Sequence, residues 1–179
     1  MDGVIISVHA EQTPVRLRLF QPADASAVTG LIHDYLTWAA ERLYALYGVE
    51  EMPTDVNAIG RSLSAFELPA GLLLVAQLDK KLVGVGAIRT IAPGVAEIKR
   101  MYVTPEVRGH HAGSTLLDCL IEHARETFHA KIVRLDTCGF MADAQRMYAS
   151  RGFQERTPYE GTEIPSHLQQ YWRFFEREL

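Results

Sequence analysis

The stretch Val107-Arg108-Gly109-His110-His111-Ala112-Gly113-Ser114-Thr115-Leu116-Leu117 sets two glycines and a run of small residues directly before apolar positions with helical spacing. Glycine adopts positive φ readily and lets backbone N–H groups approach an anion that a Cβ would keep away. The start of a helix adds about half a positive charge from its dipole. The segment therefore reads as a loop built to hold phosphate through main-chain groups at a helix start.

Outward from this loop the elements follow in a regular order. Downstream, Leu116, Leu117, Leu120, Ile121, Ala124 and Phe128 share one helical face and Asp118, Glu122, Arg125 and Glu126 the other, which predicts a helix over 113–128. A short buried strand over 132–135 follows, then a helix over 142–150 stopped by Gly152. Phe153 opens another strand, and 171–178 is the last. Upstream, strand-like runs at 72–78, 82–90 and 96–103 are joined by short turns at Asp79-Lys80-Lys81 and Pro93-Gly94, the pattern of an antiparallel meander.

Earlier still, 15–19 reads as a strand and Asp24 as a helix cap. Leu31, Ile32, Tyr35, Leu36, Ala39, Leu43 and Leu46 then recur at helical spacing up to Gly48, as one helix or as two with a bend. Thr54 or Asp55 caps a short helix to about Phe66, before a turn at Leu68-Pro69-Ala70-Gly71. The expected fold class is α/β (α+β): a mixed, mostly antiparallel sheet of about six or seven strands with about four helices. Residues 1–14 form an N-terminal extension and 15–179 one domain in this reading.

Composition narrows the function. A chain of 179 residues fits one domain, and at this length roughly 70% of the unfolded surface is buried on folding. Hydrophobic residues make up 47% and charged residues 22%, as in ordinary soluble proteins. A net charge of −4 argues against nucleic acid or an anionic membrane as partner and is compatible with an amine-bearing one. Cys119 and Cys138 read as free thiols, with neither a disulfide framework nor metal-ligand spacing. His110, His111, His123 and His129 lack a complementary carboxylate or cysteine, so no metal site is expected. Met1-Asp2-Gly3 offers no basic leader, and no run approaches about 18 apolar residues. A cytoplasmic protein is the expectation.

Three segments at matching distances carry a family resemblance. Arg108-Gly109-x-x-x-Gly113 resembles the acyl-CoA pyrophosphate loop of the GNAT N-acetyltransferase superfamily, with His111 standing where a third glycine is usual. Ala96-Glu97-Ile98-Lys99-Arg100-Met101-Tyr102-Val103, followed by Pro105-Glu106, resembles the central strand and turn that lead into that loop. Ala144-Gln145-Arg146-Met147-Tyr148-Ala149-Ser150-Arg151-Gly152-Phe153 is similar to the Ala-x-x-x-Tyr-x-x-x-Gly-Phe segment. Together they cover roughly residues 72–156, while the first 70 agree in element order only.

The resemblance implies acetyl-CoA as cosubstrate and a small-molecule or peptide amine as acceptor, with no metal; a homodimer is left open. Backbone N–H groups of Arg108, Gly109, His110, His111, Ala112, Gly113 and Ser114 would hold the pyrophosphate. Main-chain groups of Met101, Tyr102 and Val103, freed by a strand bulge and splay, would pair with the pantetheine arm and polarise the thioester carbonyl. Deprotonating a lysine-like amine at pH 7 costs about 4–5 kcal/mol, so a base is sought. Glu97 is the candidate, its period-2 neighbours being Lys99, Met101 and Val103. A surface ion pair of Glu97 with Lys99, and proton removal through water, are the alternatives. Tyr148 aligns with the general-acid tyrosine that protonates or hydrogen-bonds the departing thiolate, and Met141 stands where an Asn is common.

Arg108 is either a phosphate ligand or a tie for its own loop. His111 either points outward or places an imidazole at the phosphate edge, where a bound dianion would favour its protonation. The acceptor region falls on Tyr35, Trp38, Tyr44, Tyr47, Glu50, Glu51 and Asp55, then Tyr159, Glu160 and Glu163. Aromatic rings with carboxylates suit a cation, though helix packing and solvated loop charges would leave the same pattern. Two rivals remain. One is a catalytically degenerate acyl-CoA sensor, suggested by His111 and Met141. The other is an enzyme for longer acyl groups, with room made by Gly84, Gly86 and Met101.

Overall fold

The computed structural model of the protein describes residues 5–6, 15–50 and 55–179. Thr54 and Glu51, and most of the expected N-terminal extension, lie outside the described residues. In chain order the elements are β1 (Ile5–Ile6), β2 (Val15–Leu19), α1 (Ala25–Tyr47), α2 (Val56–Ser62), β3 (Gly71–Leu78), β4 (Lys81–Ala92), β5 (Val95–Val103), α3 (Ala112–Glu126), β6 (Ile132–Cys138), α4 (Ala142–Ala149), β7 (Gln154–Arg156) and β8 (Trp172–Glu178). They form one eight-stranded sheet in the order β1-β2-β3-β4-β5-β6-β8-β7. The β5–β6 pair is parallel and the other pairs are antiparallel. The mixed, mostly antiparallel sheet with four helices is the expected fold class. Its additional strand is β1, two residues paired with the start of β2, too short to show alternation in sequence.

The helices cover both faces. Val28, Ile32 and Leu36 of α1 and Ile59 of α2 pack on Leu73, Val75, Val85 and Ala87 of the sheet. On the other face Leu116, Leu117 and Leu120 of α3 and Tyr148 of α4 pack on Leu72, Leu74, Ile88 and Ile98. No proline interrupts α1, which runs as one continuous helix through 23 residues to Gly48, whose φ of 68° closes it. Asp55 caps α2, accepting the Asn57 N–H at 3.0 Å. Among the described residues no helix is long and apolar enough to cross a membrane.

β5 positions the site. Val85 stands opposite Tyr102 and Ala87 opposite Lys99, so two steps on β4 face three on β5. The extra residue is a β-bulge at Arg100, whose φ is +57°. It inverts the side-chain phase. Ala96 and Ile98 point toward α3 before the bulge, and Met101 and Val103 do so after it. Glu97 and Lys99 therefore do not share a face with Met101 and Val103, contrary to strict alternation.

Parallel pairing with β6 begins at Val95↔Ile132 and ends at Ile98↔Leu135. Beyond that point the two strands part. Gly84 and Gly86 sit across from the bulged half of β5. A Cβ on Gly86 would meet Met101 Sδ and Leu120 Cδ1 at 2.9 Å, and one on Gly84 would meet Val103 Cγ1 at 2.9 Å. These glycines make room for core side chains, so the space expected there for a longer acyl group is already filled.

Candidate active site

A cavity of about 370 Å³ opens where β5 and β6 part. Ile98 to Met101 form one wall and Leu135 to Cys138 the opposite one. Tyr35, Leu36 and Ala39 of α1, Tyr148 of α4, and Ile164 and Leu168 complete its lining. On the side of 100–103 away from β4 no strand among the described residues pairs with the main chain, which leaves an open edge at Met101, Tyr102 and Val103.

Tyr148 is buried, its ring held against Phe153 and Phe175 with centroids at 6.0 and 5.9 Å. Its hydroxyl has no hydrogen-bond partner among the described residues and the side chain lines the cavity. Burial and the nearby charge of Asp136 push the phenol well above its usual value. It stays protonated and is available as a donor.

Glu97 is placed differently from the expectation. It is 0% exposed and does not line the cavity. Arg89 donates to its Oε2 from Nε at 2.9 Å and from Nη2 at 2.7 Å. Tyr159 donates to Oε1 at 2.7 Å, and Lys99 Nζ lies 3.7 Å from the same oxygen. Both oxygens are committed, so this carboxylate is a buried counter-ion set back from the cavity lining. The alternative of a surface pair with Lys99 named the right partner and the wrong environment.

The surrounding network was not foreseen. Lys99 Nζ donates to Asp136 Oδ2 at 2.8 Å and lies 3.5 Å from Glu163 Oε2. Arg89 Nη1 meets Glu163 Oε1 at 2.7 Å. Burial works to lower the Lys99 ammonium, but Asp136, Glu97 and Glu163 outweigh it and raise the pKa. Lys99 and Asp136 line the cavity. Asp136 Oδ1 accepts no hydrogen bond from the described residues. No spacing in the sequence joins Arg89, Lys99, Asp136 and Glu163; the alternation on β6, with Asp136 following buried Leu135, was the one available signal.

The glycine loop leads from Thr104 into α3. Gly109 has φ +79° and His111 φ +61°. The exposed His111 is the N-cap of α3, and its carbonyl accepts hydrogen bonds from Ser114 Oγ at 2.8 Å and Thr115 Oγ1 at 3.1 Å. It thus carries the left-handed conformation that glycine would take at that point. Ala112, Gly113 and Ser114 form the first turn, so their N–H groups are helix-start donors, with Arg108 and His110 on the loop before them. Arg108 donates from Nε to Val103 O at 3.4 Å, and its guanidinium lies over Trp38 and Tyr102 at 5.8 and 5.9 Å. It ties its loop to β5 and α1.

Met141 caps α4, and its Sδ accepts from Thr137 Oγ1 at 3.3 Å and Tyr35 OH at 3.9 Å. Of the expected acceptor residues, Tyr35, Asp55 and Glu163 line the cavity. Tyr159 is locked into the ion network. Tyr44 and Tyr47 are exposed, the latter against Tyr171 at 5.0 Å. Trp38 packs edge-on to Phe140 at 5.6 Å. Glu50 and Glu160 are exposed, outside the lining. Cys138 lines the cavity with its thiol pushed up to about 12 by burial and the Asp136 charge.

A strand that bulges and parts from its parallel neighbour, beside a glycine loop at a helix start, is the arrangement that the GNAT resemblance implies. The family model described as Acetyltransferase (GNAT) family matches residues 32–153, and the chain belongs to that family. An uncharacterized N-acetyltransferase of Schizosaccharomyces pombe is 35% identical over 101 residues, which are 55% of this chain and 61% of that protein. An IAA acetyltransferase of Azospirillum brasilense is 34% identical over 87 residues, 48% of this chain and 56% of that protein. The chain thus spans about three fifths of the length of these relatives. Among solved structures, an acetyltransferase of Salmonella typhimurium with acetyl-CoA shares the fold at TM-score 0.68 and 19% identity, over 92% of this chain and 94% of that one. An acetyltransferase from Streptococcus agalactiae does so at TM-score 0.74 and 19% identity, over 92% and 98%.

Proposed function

We propose that this protein transfers the acetyl group of acetyl-CoA to a primary amine by direct attack of the amine on the thioester. The observation that supports this most is Tyr148, a protonated phenol with no hydrogen-bond partner among the described residues, lining a cavity that opens where the main chain of β5 parts from β6. When bound, acetyl-CoA supplies the thioester. The turn from Arg108 to Ser114 holds the pyrophosphate through backbone N–H groups, and the free edge at Met101 to Val103 orients the pantetheine and polarises the carbonyl. In the step an N–C bond forms, the C–S bond breaks, and the amine loses a proton. Asp136 Oδ1 takes that proton in place of Glu97, and Tyr148 donates to the departing thiolate.

The test is thiol release from acetyl-CoA over a panel of primary amines, with acetyl-CoA binding measured by calorimetry. Amine-dependent release is the expected result. Binding without release on any amine would favour the sensor reading, and absence of binding would overturn both. Faster release from propionyl-CoA would favour the longer-acyl reading, against which the filled space around Gly84 and Gly86 counts.

A further inference from the structure

Among the described residues, the charged groups on the cavity wall have ion-pair partners, Arg100 excepted. Lys99 is held between Asp136 and Glu163, and Arg89 joins Glu97 to Glu163. Arg100 lines the same cavity, yet its Nε is buried without a hydrogen-bond partner. No ion pair or hydrogen bond to its guanidinium exists among the described residues. Glu163, whose titration Arg100 influences, has Oε1 with Arg89 at 2.7 Å and Oε2 near Lys99 at 3.5 Å. A buried polar nitrogen left unpaired is costly, and proteins keep such groups where a ligand completes them. The bulge itself delivers this residue: at φ +57° it is the extra residue of β5, set at the point where the strands part.

Guanidinium matches the geometry of a carboxylate, which it binds through paired N–H donors. On the opposite wall, Asp136 Oδ1 is open. A cavity of about 370 Å³ is the size of a small-molecule site. We propose that Arg100 is a carboxylate-binding residue that reads a carboxylate carried by the substrate, which makes the natural reaction one between a small amine and an acyl-CoA in which one partner is acidic. The acceptor can supply that group, as in an amino acid, or the acyl chain can, as in succinyl-CoA. The inference rests on the acyl-transfer reading but is tested apart from it.

Binding of the twenty amino acids and of their carboxamides is measured by calorimetry on the full chain in the presence of coenzyme A. In a second arm succinyl-CoA is compared with acetyl-CoA. Both arms are repeated on Arg100→Met and Arg100→Lys, with melting temperature and coenzyme A binding as checks on folding. The carboxamide keeps size and amine while removing the charge. A preference of about 10- to 100-fold for the acid form is expected in one arm. It should collapse toward unity in Arg100→Met and be partly kept in Arg100→Lys, which retains charge without the paired donors. Preference in the first arm assigns the carboxylate to the acceptor, and in the second to the acyl group. Equal binding of acid and uncharged forms in both arms, or a preference that survives Arg100→Met, overturns the proposal. Thiol release from acetyl-CoA with amines that carry no acid group would leave the acyl-transfer reading standing in that event. Failure of coenzyme A to bind would sink that reading while the amino acid comparison still decides the role of Arg100.

Discussion

The two halves of β5 have opposite fates. From Val95 to Ile98 the strand is paired on both sides, with β4 and with β6, and its buried Glu97 is fastened to Arg89 and Tyr159. From Arg100 to Val103 it is paired on one side only, and Arg100 and Met101 face the cavity. One extra residue divides them. The same strand is scaffold below the bulge and site above it, and a carboxylate only three residues before Arg100 belongs to the scaffold.

The largest expected effect breaks the scaffold half. Glu97→Ala removes the buried acceptor of Arg89 Nε and the Tyr159 hydroxyl and leaves a void; it should cost about 3–5 kcal/mol in denaturant unfolding, while the folded fraction keeps its transfer rate. A rate loss far beyond the loss of folded protein would return Glu97 to the role of base. Next comes the site half. Tyr148→Phe should lower kcat for thiol release about 100-fold with acetyl-CoA affinity unchanged; an unaltered kcat would leave the thiolate without the proposed donor.

Gly86→Ala sharpens the boundary, because its Cβ would press on Met101 and Leu120, whose side-chain ends can shift. A cost of about 1 kcal/mol is expected, and a neutral result would mean that the bulged half is loosely packed. A pH series probes the charges that join the halves. Burial pushes Glu163 up, but Lys99, Arg89 and Arg100 outweigh it and hold its pKa below the ordinary value. Its contribution to stability is therefore full above the unfolded carboxylate value and is lost as the pH falls through the lower folded one. The melting temperature should drop below about pH 4, and Glu163→Gln should flatten that drop. The smallest effect is expected at the loop. His111→Gly relieves a left-handed non-glycine residue and should raise stability by about 0.5–1 kcal/mol, measured by the same unfolding titration.

Much of this was legible in the chain. The meander over β3 to β5, the amphipathic face of α3 and the glycine loop all follow from local rules, periodicity and turn chemistry, and the structure has each within a few residues. Local rules cannot show the bulge. Every residue from Ala96 to Val103 suits a strand, so nothing in the pattern announces that Arg100 is supernumerary, and strict alternation put Glu97 on the face of Met101. The ion network is illegible for a related reason. Arg89, Asp136, Tyr159 and Glu163 come together only because β4, β5 and β6 lie side by side and the segment before β8 folds back over them. Tyr148 was singled out because its helix and the following Gly-Phe resemble a local family segment, and the structure sets it on the cavity wall.

Cys138 has a consequence for kinetic order. Its thiol lies on the cavity wall, within reach of any acyl group delivered there, but with a pKa near 12 it carries almost no thiolate at neutral pH. An acyl-cysteine way station is thereby disfavoured. In the proposed direct attack both substrates are on the protein together before the first product leaves, so initial-rate plots should intersect and not run parallel, and alkylating reagents should find this thiol slow to react.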